Sequence, residues 1–135
     1  MEYKNRIADK LLRDKLEAMG AVLIEGPKAC GKTTTAEQQA KSIIYMDDPV
    51  KQEQYKQMAQ TNIRFLLEGE TPRLIDEWQL APIIWDAIRY TVDHRNGMGQ
   101  FILTGSAKPA NREKISHSGT GRFAWLRMRP MALFE

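Results

Sequence analysis

Residues Gly26-Pro27-Lys28-Ala29-Cys30-Gly31-Lys32-Thr33 match G-x-x-x-x-G-K-[ST] at every fixed position. No other stretch constrains the fold as tightly, because this pattern has meaning only between a strand and a helix. Both flanks are present. Ala21-Val22-Leu23-Ile24 is a short continuous apolar run of the kind that forms a buried strand. Residues 32–41 (KTTTAEQQAK) read as the helix that follows. Glycines let backbone N–H groups curl around an anion with no Cβ in the way. A helix starting near Lys32 aims the positive end of its dipole at that anion. Lys32 adds a cation for the β- and γ-phosphates, and the Thr33 hydroxyl suits Mg²⁺. The segment from Gly26 through Pro27, Lys28, Ala29, Cys30, Gly31, Lys32 and Thr33 to Thr34 is therefore expected to cradle ATP, with Thr33 a ligand of Mg²⁺. The alternative is a glycine turn between strand and helix with an incidental lysine; the full motif in its required context favours the phosphate loop.

Apolar runs alternate with helical patterns along the rest of the chain, which predicts an α/β fold with a mostly parallel sheet. Residues 5–19 carry Ile7, Ala8, Leu11, Leu12, Leu16 and Met19 at helical spacing, expected as a buried stripe. Ile43-Ile44-Tyr45-Met46 is a second strand ending on Asp47-Asp48-Pro49, where the aspartates suit a turn and helix cap. Residues 50–68 are polar and helical in one or two pieces. Leu74-Ile75 is a short third strand that ends on Asp76-Glu77. Pro82 opens a helix to about residue 94, with Ile83, Ile84, Trp85, Ala87, Ile88 and Val92 toward the core. Phe101-Ile102-Leu103 is a fourth strand leading into Thr104-Gly105-Ser106. Residues 107–121 read as a surface loop. In 123–129 the alternation sets Ala124, Leu126 and Met128 against Phe123, Trp125, Arg127 and Arg129, a fifth strand whose arginines suit a sheet edge. Trp78, Trp85 and Trp125 are expected as core or interface aromatics.

At 135 residues the chain suits one domain, 1–135. No run of about 18 apolar residues exists, so no membrane partner is expected. The N-terminus has no apolar signal core, and a single cysteine, Cys30, precludes an internal disulfide. Both agree with a cytoplasmic location. Cys30 sits where a helix dipole can lower a thiol's pKa, or where only a small side chain is needed. The charge is uneven. Residues 1–106 hold 14 basic and 15 acidic groups, whereas 107–135 hold 6 basic and 2 acidic. That basic tail is either a solvated edge or a contact for phosphates or nucleic acid.

Asp76 and Glu77 stand at a strand's C-terminal end, where ligands bind in open α/β sheets. Behind a phosphate loop, Asp76 is expected to hold Mg²⁺ and Glu77 to polarise the attacking water. Thr104 or Ser106, at the end of the fourth strand, is expected to sense the γ-phosphate. Arg122, in the loop before the fifth strand, is either an arginine finger, in cis or from a neighbouring subunit, or a surface arginine. The catalytic set is thus Lys32, Glu77, Thr104, Ser106 and Arg122, and the metal set Thr33 and Asp76. ATP rather than GTP follows from the lack of a guanine-reading Asn/Thr-Lys-x-Asp motif. Two other functions fit parts of the pattern: a small-molecule or nucleotide kinase, which needs an arginine-rich lid, and a non-hydrolysing nucleotide-dependent interaction module.

Leu23 through Thr33, Ile75-Asp76-Glu77-Trp78-Gln79 with Pro82, Ile102-Leu103-Thr104-Gly105-Ser106, and Ser118-Gly119-Thr120-Gly121-Arg122 with Arg129-Pro130-Met131 together resemble a family of prokaryotic AAA+-like ATPases of uncharacterised role. In that family the P-loop domain precedes a C-terminal domain of unknown function. The resemblance covers nearly the whole chain, and its Asp-Glu-Trp-Gln and Thr-Gly-Ser blocks are more specific than the phosphate loop. It implies a three-layer P-loop NTPase core with a five-stranded parallel sheet of order 5-1-4-3-2 flanked by helices. It implies that Lys32 and Thr33 bind nucleotide and magnesium, that Asp76 and Glu77 form the second motif, and that Thr104 or Ser106 is the sensor. Family members continue past the segment that here is Pro130 to Glu135, so the resemblance implies an ATPase core without lid or C-terminal domain. ATP and ADP are the implied ligands, with a homo-oligomer or protein partner possible.

Overall fold

Parallel strands carry the architecture. In the computed structural model, which describes residues 7–27, 31–105 and 123–128, β1 (Ala21–Glu25), β2 (Ser42–Tyr45), β3 (Arg73–Asp76), β4 (Phe101–Gly105) and β5 (Phe123–Arg127) form one sheet. Its order is β2-β3-β4-β1-β5 and every pairing is parallel. Read from the other edge this is 5-1-4-3-2, as the resemblance implies.

Strand alternation sorts the side chains onto two faces. Val22, Ile24, Leu74, Ile102, Leu126 and Met128 pack on one side with Leu12, Leu16 and Ala36, from α1 (Ile7–Ala18) and α2 (Lys32–Gln39). Ala21, Leu23, Ile44, Ile75, Phe101, Leu103 and Phe123 pack on the other. That side is covered by α3 (Gln52–Thr61), α4 (Ile63–Leu67), a 3-10 turn at Trp78–Leu80 and α5 (Ile83–Arg95). The result is three layers. The central strands are apolar on both faces because helices cover both, and burying each such Val, Ile or Leu stabilises the fold by roughly 1.5–3 kcal/mol. The three tryptophans lie in or against the α5-side core. Trp85 stacks on Phe123 at 4.0 Å between ring centroids and lies 5.4 Å from Trp78 and 5.8 Å from Trp125. They are core aromatics, as expected.

The expected elements are present, with local differences in extent and burial. In α1, Ile7 and Leu11 are exposed at 67% and 42%, while Asp9 is buried. The helical period places Leu12 and Leu16 correctly, but the buried arc is narrower than the apolar stripe, because α1 lies beside the edge strand. Ile83 is likewise exposed, so the buried face of α5 begins at Ile84. The polar stretch 50–68 is two helices, broken at Asn62, whose φ of −153° and ψ of 67° leave helical space. Asp48 acts as the turn residue anticipated: its Oδ1 accepts from the Val50 and Lys51 amides at 2.8 and 3.3 Å. β3 and β4 extend one and two residues beyond their apolar stretches, ending on Asp76 and Gly105. Among the described residues no helix is long and apolar enough to cross a membrane. The loop expected over 107–121 lies outside the described residues.

Candidate functional site

The parallel register brings one row of residues level across the C-terminal ends of four strands. Ile24 of β1 pairs with Thr104 of β4, Thr104 with Asp76 of β3, and Asp76 with Tyr45 of β2. Residues in one row share a face, here the face of α2. The polar members of the row are therefore delivered to the helix that follows the phosphate-binding segment.

At that helix the chain is arranged for an anion. Gly31 has φ 89°, in the left-handed region where a Cβ is strained, which accounts for the second fixed glycine. The first intrahelical hydrogen bond runs from Thr35 N to Gly31 O at 2.9 Å. The amides of Lys32, Thr33 and Thr34 therefore have no acceptor within the helix. Among the described residues no side chain caps this end, and no acidic residue lies in the first turn. Gly31, Lys32, Thr33 and Thr34 line a cleft of roughly 310 Å³ here.

Thr33 Oγ1 donates to Asp76 Oδ1 at 2.6 Å, and Thr104 Oγ1 donates to the same oxygen at 2.5 Å. Thr104 in turn accepts from the Glu77 amide at 3.3 Å. Asp76 and Thr104 are buried. Strict alternation would send Glu77 to the opposite face of the sheet. Instead its φ of 58° and ψ of 50° turn the chain at that residue, and its carboxylate comes back to the loop. Lys32 Nζ lies 3.6 Å from Glu77 Oε1, with side-chain exposures of only 5% and 14%. The other oxygen, Oε2, accepts from the Gln79 side-chain amide. Five groups from three separate segments thus form one connected cluster: Lys32, Thr33, Asp76, Glu77 and Thr104.

Of the other expected site residues, Gly26 and Pro27 follow β1 directly, and Thr34 is in the first turn of α2. Lys28, Ala29, Cys30, Ser106 and Arg122 lie outside the described residues. The Thr104 hydroxyl is fully buried and engaged with Asp76 and Glu77, so its visible contacts lie within the cluster. Sequence reasoning missed two groups. Gln79 bonds the key carboxylate; the Asp-Glu-Trp-Gln block contains it, but nothing in that block assigned the amide a role. Tyr45 ties the end of β2 to α2 through a hydrogen bond from its hydroxyl to Glu37 Oε2.

That hydrogen bond is the main reason the Tyr45 phenol is pushed up to about 12, with burial and the charges of Glu37 and Asp76 adding to it. A pKa raised on folding favours the folded state fully below the unfolded phenol value of about 10 and loses that contribution as pH rises toward 12. In an ultraviolet titration, one of the four tyrosines is expected to ionise near 12. Glu37→Gln should return it toward about 10, and an unchanged titration curve would contradict the assignment.

The fold and the phosphate-binding segment define a P-loop nucleotide-binding core. A family model described as an AAA domain matches residues 19–135, and the chain belongs to that family. It is accordingly a nucleotide-binding domain of the ATPase type. Among solved structures, PCH-2 of C. elegans matches with a TM-score of 0.46 at 16% identity, over 92% of this chain and 41% of that one. The chain thus spans less than half the length of that structure. No curated protein sequence matches it.

Proposed function

We propose that the cluster binds ATP with Mg²⁺ and hydrolyses the γ-phosphate bond, with Glu77 as the general base. The observation that carries this reading is the hydrogen-bonded path Thr33–Asp76–Thr104–Glu77, closed by Lys32 against Glu77. The donor set fits the ligands. Three helix-terminal amides and a buried ammonium suit a polyphosphate. The Thr33 hydroxyl and the Asp76 carboxylate supply the hard oxygens that magnesium prefers, Asp76 usually through water. Magnesium bound there would neutralise charge on the phosphate oxygens.

Lys32 binds and orients the phosphates. Asp76 is fixed by two hydroxyl donors on one oxygen, Oδ1. Glu77 accepts a proton from the attacking water. Its left-handed backbone and its amide bond to Thr104 hold it level with Asp76. A glutamate directly after the metal-binding aspartate favours hydrolysis over transfer to a bound metabolite.

Calorimetric titration with ATP, ADP and GTP, each with and without magnesium, tests the binding half, and phosphate release without added acceptor tests the chemical half. ATP is expected to bind tighter with magnesium than without it. Tight ATP binding with no phosphate release at high protein concentration would replace hydrolysis by a nucleotide-switch role. Release that needs an added acceptor would point to a kinase.

A further inference from the structure

Glu77 is gripped from two sides, and only one grip belongs to the phosphate loop. Lys32 faces Oε1, whereas Oε2 accepts from Gln79 Nε2. Gln79 is well placed to act as a fixed point. It lies on the 3-10 turn Trp78–Leu80, whose Trp78 is buried against Trp85. Its carbonyl oxygen Oε1 is buried and meets no hydrogen-bond donor among the described residues. A Cβ built on Gly105 would sit 2.5 Å from that oxygen and 3.0 Å from the Trp78 indole nitrogen. A side chain at the end of β4 would therefore displace the amide from this position. The orientation of the amide follows from chemistry. An ionised carboxylate only accepts hydrogen bonds, so a flipped Gln79 would press oxygen on oxygen. A buried carbonyl without a donor is unfavourable, and here it lies on the one side of the amide that cannot help Glu77.

Resting on the hydrolysis reading above, we propose that Gln79 is the positioning residue of Glu77. Its amide pins one carboxylate oxygen so that the other faces Lys32 and the phosphate cleft, and Gly105 supplies the space. Gln79 touches neither the nucleotide nor the water, so its loss should slow turnover without weakening binding.

The test compares Gln79→Leu, which keeps the bulk and removes the donor, with Gly105→Ala, which crowds the amide from the other side. Each is measured for kcat, for KM and for ATP affinity by calorimetry, beside the unaltered chain and Glu77→Gln. For both, kcat is expected to fall about 10- to 100-fold while KM and affinity stay within about twofold. A packing defect would instead move affinity and melting temperature together, and that pattern would overturn the proposal. So would unaltered kcat in Gln79→Leu when Glu77→Gln is inactive, an outcome that leaves the base assignment standing. Absence of phosphate release from the unaltered chain would remove the hydrolysis reading, and the positioning role with it. A readout independent of turnover is the Gln79 side-chain amide in NMR. Its protons are expected to exchange slowly, and to lose that protection in Glu77→Ala but keep it in Lys32→Ala. Fast exchange in the unaltered chain would overturn the pairing itself.

Discussion

Lys32→Ala is expected to abolish measurable ATP binding, a loss of more than about 100-fold in affinity, corresponding to about 3 kcal/mol. The side chain is almost wholly buried, with its ammonium 3.6 Å from Glu77 Oε1. Charge-assisted contacts to phosphate from so desolvated a position are stronger than those of a surface lysine. The substitution acts twice. It removes the cation that the phosphates need, and it leaves the Glu77 carboxylate facing an approaching anion without a counter-charge. Like charges at close range repel, so the remaining helix-terminal amides do not make up the loss. Calorimetry with ATP and magnesium checks this, with circular dichroism to establish that the variant is folded. Affinity within threefold of the unaltered chain would rule out a phosphate-binding role for Lys32.

Glu77→Gln should behave in the opposite way: ATP binds as before, while phosphate release falls by roughly 10²–10⁴-fold, the usual contribution of a positioned general base. The substitution is nearly isosteric. An amide oxygen can still accept from Gln79, and the left-handed backbone at this position is unaffected by the change. What is lost is the ability to take a proton. The two variants therefore separate binding from chemistry at two side chains that are in contact. Normal turnover in Glu77→Gln would remove the proposed base even if binding stands.

Much of this site was legible before any coordinates. The phosphate segment is specified locally, since strand, glycines and helix follow one another in the chain. The Asp76-Glu77 pair and Thr104 were legible because each ends an apolar run, and strand ends are where α/β sheets place ligands. What could not be read was contact geometry. Nothing in Asp-Glu-Trp-Gln says that Glu77 takes a left-handed conformation or that Gln79 folds back onto it, because both depend on the packing of Trp78 against α5. Gly105 stands in the sequence only as part of the Thr-Gly-Ser block, yet it leaves room for a side chain 26 positions earlier. The periodicity of α1 gave the right face but not its width, and Ile7 and Leu11 lie outside the arc that the sheet covers. Asn62 interrupts a helix without the glycine or proline that would announce it.

The two acidic residues of the cluster answer to opposite layers of the molecule. Asp76 is held by Thr33 and Thr104, on the side of α2. Glu77 is held by Gln79, whose turn is anchored by Trp78 in the core beneath α5. Glu77 is thus where the two layers meet: Gln79 reaches it from the turn beneath α5, and Lys32 from the start of α2.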